Sequence, residues 1–310
     1  MENFFEKLKS VVVAILIVLL LGVFFVMMCV AADDVKESLN DATLDFIDKK
    51  DAEKTPKDKG LEVGTNVSET ESFVGCYADT NGDGIVDGVI FADLAIGGSG
   101  SWYGNENTYS YSTVPTEKLK KYVVSQNGYE AKYDAKFGKN IVITPISEGE
   151  DRFYIMALKD IEDNDYRFSW YANAYNNGKG TMTDWRTATI SRFGAGKANT
   201  AAIIEKWNAQ AYGPQNNGDG RYHHGDIWGK IQEQVADGWF VPSEEEWIAF
   251  AGELNITHSN YLRAYWSSTQ FDQNCALLID FDWTYRHPSS MGIWRDTVDR
   301  IKHLRLAKTF

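Results

Sequence analysis

Three cysteines in 310 residues are too few for a disulfide scaffold. Cys29 lies inside an apolar run, so only Cys76 and Cys275 remain as a possible pair. Six prolines exclude a proline-rich stalk. Positive charge is scarce: 31 Lys and Arg against 44 Asp and Glu leave a formal net charge of −13. Non-specific nucleic-acid binding needs a basic footprint, so no nucleic-acid partner is expected. There is no P-loop, no G-x-G-x-x-G after a strand, and no nucleophile-elbow sequence. Five histidines and many serines give only chance combinations for a Ser/His/Asp triad. What is abundant is apolar and aromatic: 44% hydrophobic, 14% aromatic, with 26 glycines. That composition builds a sizeable core and favours an aromatic-rich, loop-rich fold over a helical bundle, and the strand and helix pattern along the chain makes it α+β.

One long hydrophobic run stands at the N-terminus. Residues 11–32 are 22 residues without a charge, and as a helix they span about 33 Å, enough for a bilayer core. Lys7 and Lys9 precede the run and Asp33 and Asp34 follow it, which places residues 1–10 in the cytoplasm and the bulk of the chain outside. A cleaved signal peptide ending near Val30 and Ala32 is the rival reading. An h-region is usually about 7–15 residues long, so a retained transmembrane anchor is the expectation. Residues 33–60 are polar, with a thin stripe of Val35, Leu39, Phe46 and Ile47 that continues a helix before the charged stretch from Lys49 to Gly60. They read as a stalk.

From about Leu61 the texture changes to short strands, Gly/Asn turns and aromatics, with no internal repeat. Segments 72–79, 87–95, 140–146, 151–161, 275–283 and 300–307 predict strands. Asn199 and Thr200 are expected to cap a helix over 201–212. Ser243 with Glu246 forms a capping box ahead of a helix over 244–254. One domain over 61–310 is expected.

Two short motifs invite metal readings. Asp79, Asn81, Asp83 and Asp87 occupy positions 1, 3, 5 and 9 of a calcium-type loop, with Gly84 at position 6. Position 12 is Ile90, where a bidentate Glu belongs, so a β-hairpin turn at Asn81-Gly82 is favoured and calcium is the alternative. His223, His224 and Asp226 form a compact polar set, but no third zinc ligand is evident and an exposed turn is the plainer reading.

The second half resembles the formylglycine-generating-enzyme-like branch of the C-type lectin fold. The resemblance rests on residues 153–161, 196–207, 237–250 (DGWFVPSEEEWIAF), 265–270 (YWSSTQ) and 301–306. It implies short twisted β-sheets, two main helices and long loops. The oxidases of that branch hold a metal with closely spaced cysteines. Cys76 and Cys275 are 199 positions apart, so no catalysis of that type is expected. Residues 265–306 also resemble the C-terminal variable region of proteins diversified by retroelements, which display changeable side chains on a lectin-like scaffold. Phe271, Asp272, Cys275, Asp282, Tyr285, Arg286, His287 and Ser289 fit the residue set that adenine-directed mutagenesis produces. Trp283, Met291 and Trp294 do not, and would be fixed by the template.

The last 28 residues carry six Lys or Arg against two Asp in an otherwise acidic chain. Tyr, Trp and Arg give large contact area at modest entropy cost. The expected ligand-binding face is Phe271, Asp272, Asn274, Asp282, Trp283, Tyr285, Arg286, His287, Trp294 and Arg295. The expected protein is a membrane-anchored, extracytoplasmic, adhesin-like binder with no required cofactor. Its partner would be a protein or glycan on another cell, phage or host surface. A pilin-like structural subunit is the alternative, and a formylglycine-generating-type oxidase a third.

Overall fold

The computed structural model describes residues 61–104, 107–113, 118–125, 141–161, 168–171, 189–209, 225–254, 256, 263–281 and 292–310. The anchor and stalk expected over residues 1–60 lie outside them. Among the described residues no helix is long and apolar enough to cross a membrane.

In chain order the elements are β1 (Tyr77–Ala78), β2 (Gly88–Asp93), β3 (Gly98–Gly104), β4 (Asn107–Thr113), β5 (Tyr122–Val124), β6 (Val142–Pro145), β7 (Phe153–Ala157) and β8 (Phe168–Ser169). Then come α1 (Gly196–Asn208), α2 (Ile227–Lys230), α3 (Gln232–Ala236), β9 (Trp239–Phe240) and α4 (Glu244–Glu253). The chain closes on β10 (Ala264–Gln270), β11 (Cys275–Asp280), β12 (Gly292–Thr297), β13 (Ile301–Lys302) and β14 (Ala307–Thr309). The fold is mixed α+β, mostly sheet, with four helices among the described residues; α1 and α4 are the two long ones.

Seven strands form the main sheet in the order β5-β6-β1-β2-β7-β14-β9. All pairs given for it are antiparallel except β1 with β6. Strand β2 is buried at every position, as a near-continuous apolar run covered on both faces must be. Side chains alternate between two cores. Tyr77, Val89, Phe91 and Met156 join the cluster beneath α4. Cys76, Ala78, Ile90, Ile155 and Phe153 join Tyr122 and Phe310 on the other side. The chain end returns as β14 between β7 and β9, pairing Ala307 with both Met156 and Phe240. A third cluster gathers Trp170, Trp207, Trp228, Trp266 and Leu278.

The tryptophans act as polar staples as well as bulk. The indole N–H of Trp170 donates to Ser267 O (2.9 Å), Trp228 to Trp170 O (2.8 Å), Trp266 to Phe168 O (2.9 Å) and Trp247 to Trp266 O (3.3 Å). Each bond joins segments distant in sequence while satisfying a buried donor. Buried charge is treated the same way. Arg152 makes a bidentate pair with Asp93 (2.8 and 2.9 Å), and both side chains are at most 2% exposed.

The capping box forms as the sequence predicts. Ser243 Oγ accepts from Glu246 N, and Glu246 Oε2 accepts from Ser243 N at 2.7 Å. The same carboxylate reaches the start of α1, where Oε1 accepts from Gly194 N (3.1 Å) and Gly196 N (3.3 Å). A Cβ at residue 196 would lie 2.2 Å from Glu246 Oε2, so glycine is required there. This moves the start of α1 five residues ahead of the expected position, with Ala195 at the N-cap. Asn199 lies inside the helix and clasps Ile190 instead, through both its backbone N and O (2.8 and 2.7 Å).

Candidate binding face

Strands β10, β11 and β12 form a three-stranded antiparallel sheet within the segment expected to vary. Its scaffold positions are apolar and closed off: Tyr265, Trp266, Ala276, Leu278 and Ile279 are all at most 3% exposed. The β10–β11 connection is tied by Asp272. Its Oδ1 accepts from Asn274 N (2.7 Å) and Cys275 N (2.9 Å), and Gln270 Nε2 donates to its carbonyl (2.6 Å). Val298 N donates to Asn274 O at 2.9 Å, which fixes the turn against the end of β12.

That turn presents Phe271, which is 36% exposed. The Arg295 guanidinium stands 4.8 Å from its ring centroid. Trp294 is 40% exposed. The expected single surface holding both Trp294 and Arg295 is corrected here. They are consecutive in a strand, so their side chains leave opposite faces. Arg295 shares its face with Leu277, and Trp294 shares the other with Leu278. Phe271, Asp272 and Arg295 form one patch; Trp294 leaves the opposite face of β12. Asp282, Trp283, Tyr285, Arg286 and His287 lie outside the described residues, in the connection between β11 and β12.

Cys275 borders the patch, half-buried and free. Burial pushes its thiol up, and the Asp272 carboxylate adds to the shift. Such a thiol is not an activated nucleophile. Cys76 is fully buried in the core beside β1 and takes part in no disulfide.

Beneath the sheet lies a charged cluster that sequence reading missed. Asp160, 4% exposed at its side chain, accepts from Arg305 Nε (2.7 Å), Arg263 Nη1 (2.8 Å) and Tyr265 Oη (3.2 Å). Burial works to raise its pKa, but Arg305 and Arg263 outweigh it and hold the carboxyl below the usual range. The cluster ties the end of β7 to β10 and to the chain's last residues. Asp160 is more than 100 positions from each of its partners, so no local pattern announces the cluster.

The loop 79–87 forms a hairpin between β1 and β2, with Ala78 opposite Gly88. The connection is nine residues rather than a two-residue turn at Asn81-Gly82. Asp79 decides this, because its two carboxylate oxygens accept from Gly82 N (2.7 Å) and Gly84 N (2.9 Å). Asn81 and Asp83 accept from Asp83 N and Ile85 N, and Asp87 takes both the N–H and hydroxyl of Thr80. The carboxylates expected at a calcium site are thus engaged by the loop's own donors. Among the described residues no group of three or more His, Cys, Asp or Glu is arranged to hold a metal ion.

His223 and His224 lie outside the described residues. Asp226 is fully buried and accepts from Ser169 Oγ (2.9 Å) and Trp207 Nε1 (3.0 Å), which ties β8 and α1 to the start of α2. No protein-family model, no curated protein and no solved structure matches the chain.

Proposed function

We propose that the chain is a membrane-anchored, extracytoplasmic binding protein. In this reading residues 11–32 are the anchor, and a C-type-lectin-like domain contacts a protein or glycan on another cell, phage or host surface. The observation that carries it is the Phe271–Arg295 pair, an aromatic ring under a guanidinium, held on the surface by a turn whose Asn274 and Cys275 N–H groups both donate to Asp272. Such pairs are what interfaces use as anchors. The lectin-like reading draws support from the element order: a central strand, a first helix, a helix opened by a capping box, a three-stranded sheet, and a last strand returning beside the central one. Diversification of 265–306 is consistent with buried Trp266 and Leu278 as fixed scaffold and with Phe271 and Asp272 as changeable positions.

The test is attachment. Cells displaying the full chain are mixed with a panel of bacterial cells, phage and immobilised glycans. Phe271→Ala with Arg295→Ala should abolish attachment to whichever surface the native chain holds, with the melting temperature unchanged. Attachment that survives both substitutions refutes this face. Fractionation completes the test: the intact chain belongs in membranes with residues 61–310 open to external protease.

A further inference from the structure

A second surface lies on the β3–β4 ribbon. The two strands pair without a register break, Gly98 opposite Thr113 through Gly104 opposite Asn107. Alternate residues therefore face opposite ways. The inner face is anchored. Trp102 and Tyr111 are each 5% exposed, Trp102 Nε1 donates to Ile256 O at 3.0 Å, and Tyr111 Oη bonds to Glu253 at the end of α4. The helix comes close enough that a Cβ on Gly252 would lie 3.0 Å from Ser101 O.

The outer face consists of three cross-strand rungs: Ser99 with Ser112, Ser101 with Ser110, and Tyr103 with Thr108. All six residues are exposed, Tyr103 by 66%. All six carry a hydroxyl and none carries a charge, in a chain that is 24% charged. Two rung intervals span about 13 Å, with strands about 4.8 Å apart. Solvated ribbons are normally protected against unwanted pairing by Lys, Pro, a bulge or inward charge. Neither strand contains any of these.

The chemistry of the strip selects its partner. A hydroxyl both donates and accepts, so six of them suit a partner equally dense in donors and acceptors. The lack of Lys and Arg makes the strip a poor match for phosphate or an acidic peptide. The lack of aliphatic side chains makes it a poor match for an apolar helix. Tyr103 adds an exposed ring with an apolar face and a polar tip, which fits the C–H face of a pyranose. We propose that the outer face of β3–β4 is a docking surface for an extended chain of neutral sugars, independent of the Phe271–Arg295 patch.

The test is affinity gel electrophoresis of the full chain in a zwitterionic detergent without a sugar headgroup. Gels contain hydroxyethylcellulose or galactomannan as neutral probes, or polygalacturonate as the anionic control. The neutral polymers should retard the chain and the anionic one should not. Tyr103→Ala, and Ser101→Asp with Ser110→Asp, should each weaken retardation about tenfold or more, as loss of an interface anchor does. Tyr103→Phe should keep it, and the melting temperature should hold in all of these variants. Phe271→Ala should retain full retardation, which separates this surface from the other. No retardation by either neutral polymer overturns the proposal, as does equal retardation of the Tyr103→Ala chain. Loss of retardation in Phe271→Ala would move the sugars to the other patch and overturn it too. A sedimentation shift from dimer to monomer in the Asp variants, without an effect of polysaccharide, would assign the ribbon to a second copy of the chain instead.

Discussion

Arg152, just ahead of β7 in the main sheet, and Arg295 in the three-stranded sheet each stand 4.8 Å from a phenyl ring, that of Phe153 and that of Phe271. The shared contact hides opposite situations. Arg152 is sealed in, with Asp93 taking two of its N–H groups and Glu71 O a third. Arg295 sits in an exposed stretch of β12 beside a half-open turn. The lesson is that a cation–π pair is scaffold or binding surface according to what else the guanidinium touches and how far water reaches it. Removing one partner of a buried ion pair strands the other charge, whereas an exposed pair has water to fall back on.

The largest effect should come from breaking the buried pair. Arg152→Ala should lower unfolding stability by about 3–5 kcal/mol in denaturant titration. A loss below about 1 kcal/mol would mean the pair is solvated in solution and the contrast fails. Trp266→Ala should cost about 3–5 kcal/mol as well, since it empties a fully buried site and leaves Phe168 O without its indole donor.

A buried carboxylate held by backbone N–H groups rather than by a guanidinium sharpens the comparison. Burial pushes Glu246 from its ordinary 4.5 to about 7, against the pull of the N–H groups of Ser243, Gly196 and Gly194. With the folded value raised, its contribution to stability is fully present below pH 4.5 and is lost as pH rises through about 7. The loss over that window should be at most about 3 kcal/mol. Asp160 runs the other way: its contribution holds above the ordinary carboxyl range and disappears as acid protonates it. Melting temperature against pH should therefore fall both in strong acid and from mildly acidic to neutral pH. A curve rising steadily to pH 8 would contradict the Glu246 part.

At the small end, Arg295→Ala should change stability by no more than about 0.5 kcal/mol while weakening ligand attachment. Chelating calcium should leave the melting temperature within about 1 °C. A metal at 100 times its dissociation constant would add about 2.7 kcal/mol and a shift of several degrees. A drop of that size, abolished by Asp79→Ala, would make loop 79–87 a metal site.

Much of the architecture was legible because it is local. The apolar runs around Val89, Val142 and Ile155 became β2, β6 and β7, and Ser243-x-x-Glu246 became the cap of α4. The ribbon β3–β4 was missed because its Gly- and Ser-rich strands carry only Trp102, Tyr109 and Tyr111 as aromatics on the inner face, with no aliphatic residue in either strand. The start of α1 was misplaced because its cap comes from Glu246, fifty positions away. The binding-face expectation placed exposed aromatic and Arg residues near the chain end. Phe271, Trp294 and Arg295 are indeed exposed, but the sequence gives no strand register, so it put Trp294 and Arg295 on one surface.

By itself the sequence determined an acidic, aromatic-rich α+β chain, its apolar strands and its capped second long helix, because composition, periodicity and capping act within a few residues of themselves. Only the tertiary structure decided that Arg152 is sealed and Arg295 open. It alone gathered Arg263, Tyr265 and Arg305 on Asp160, and turned six hydroxyls of β3 and β4 to one side. Each depends on which distant segments meet and in what register, and chain topology, not local propensity, sets that.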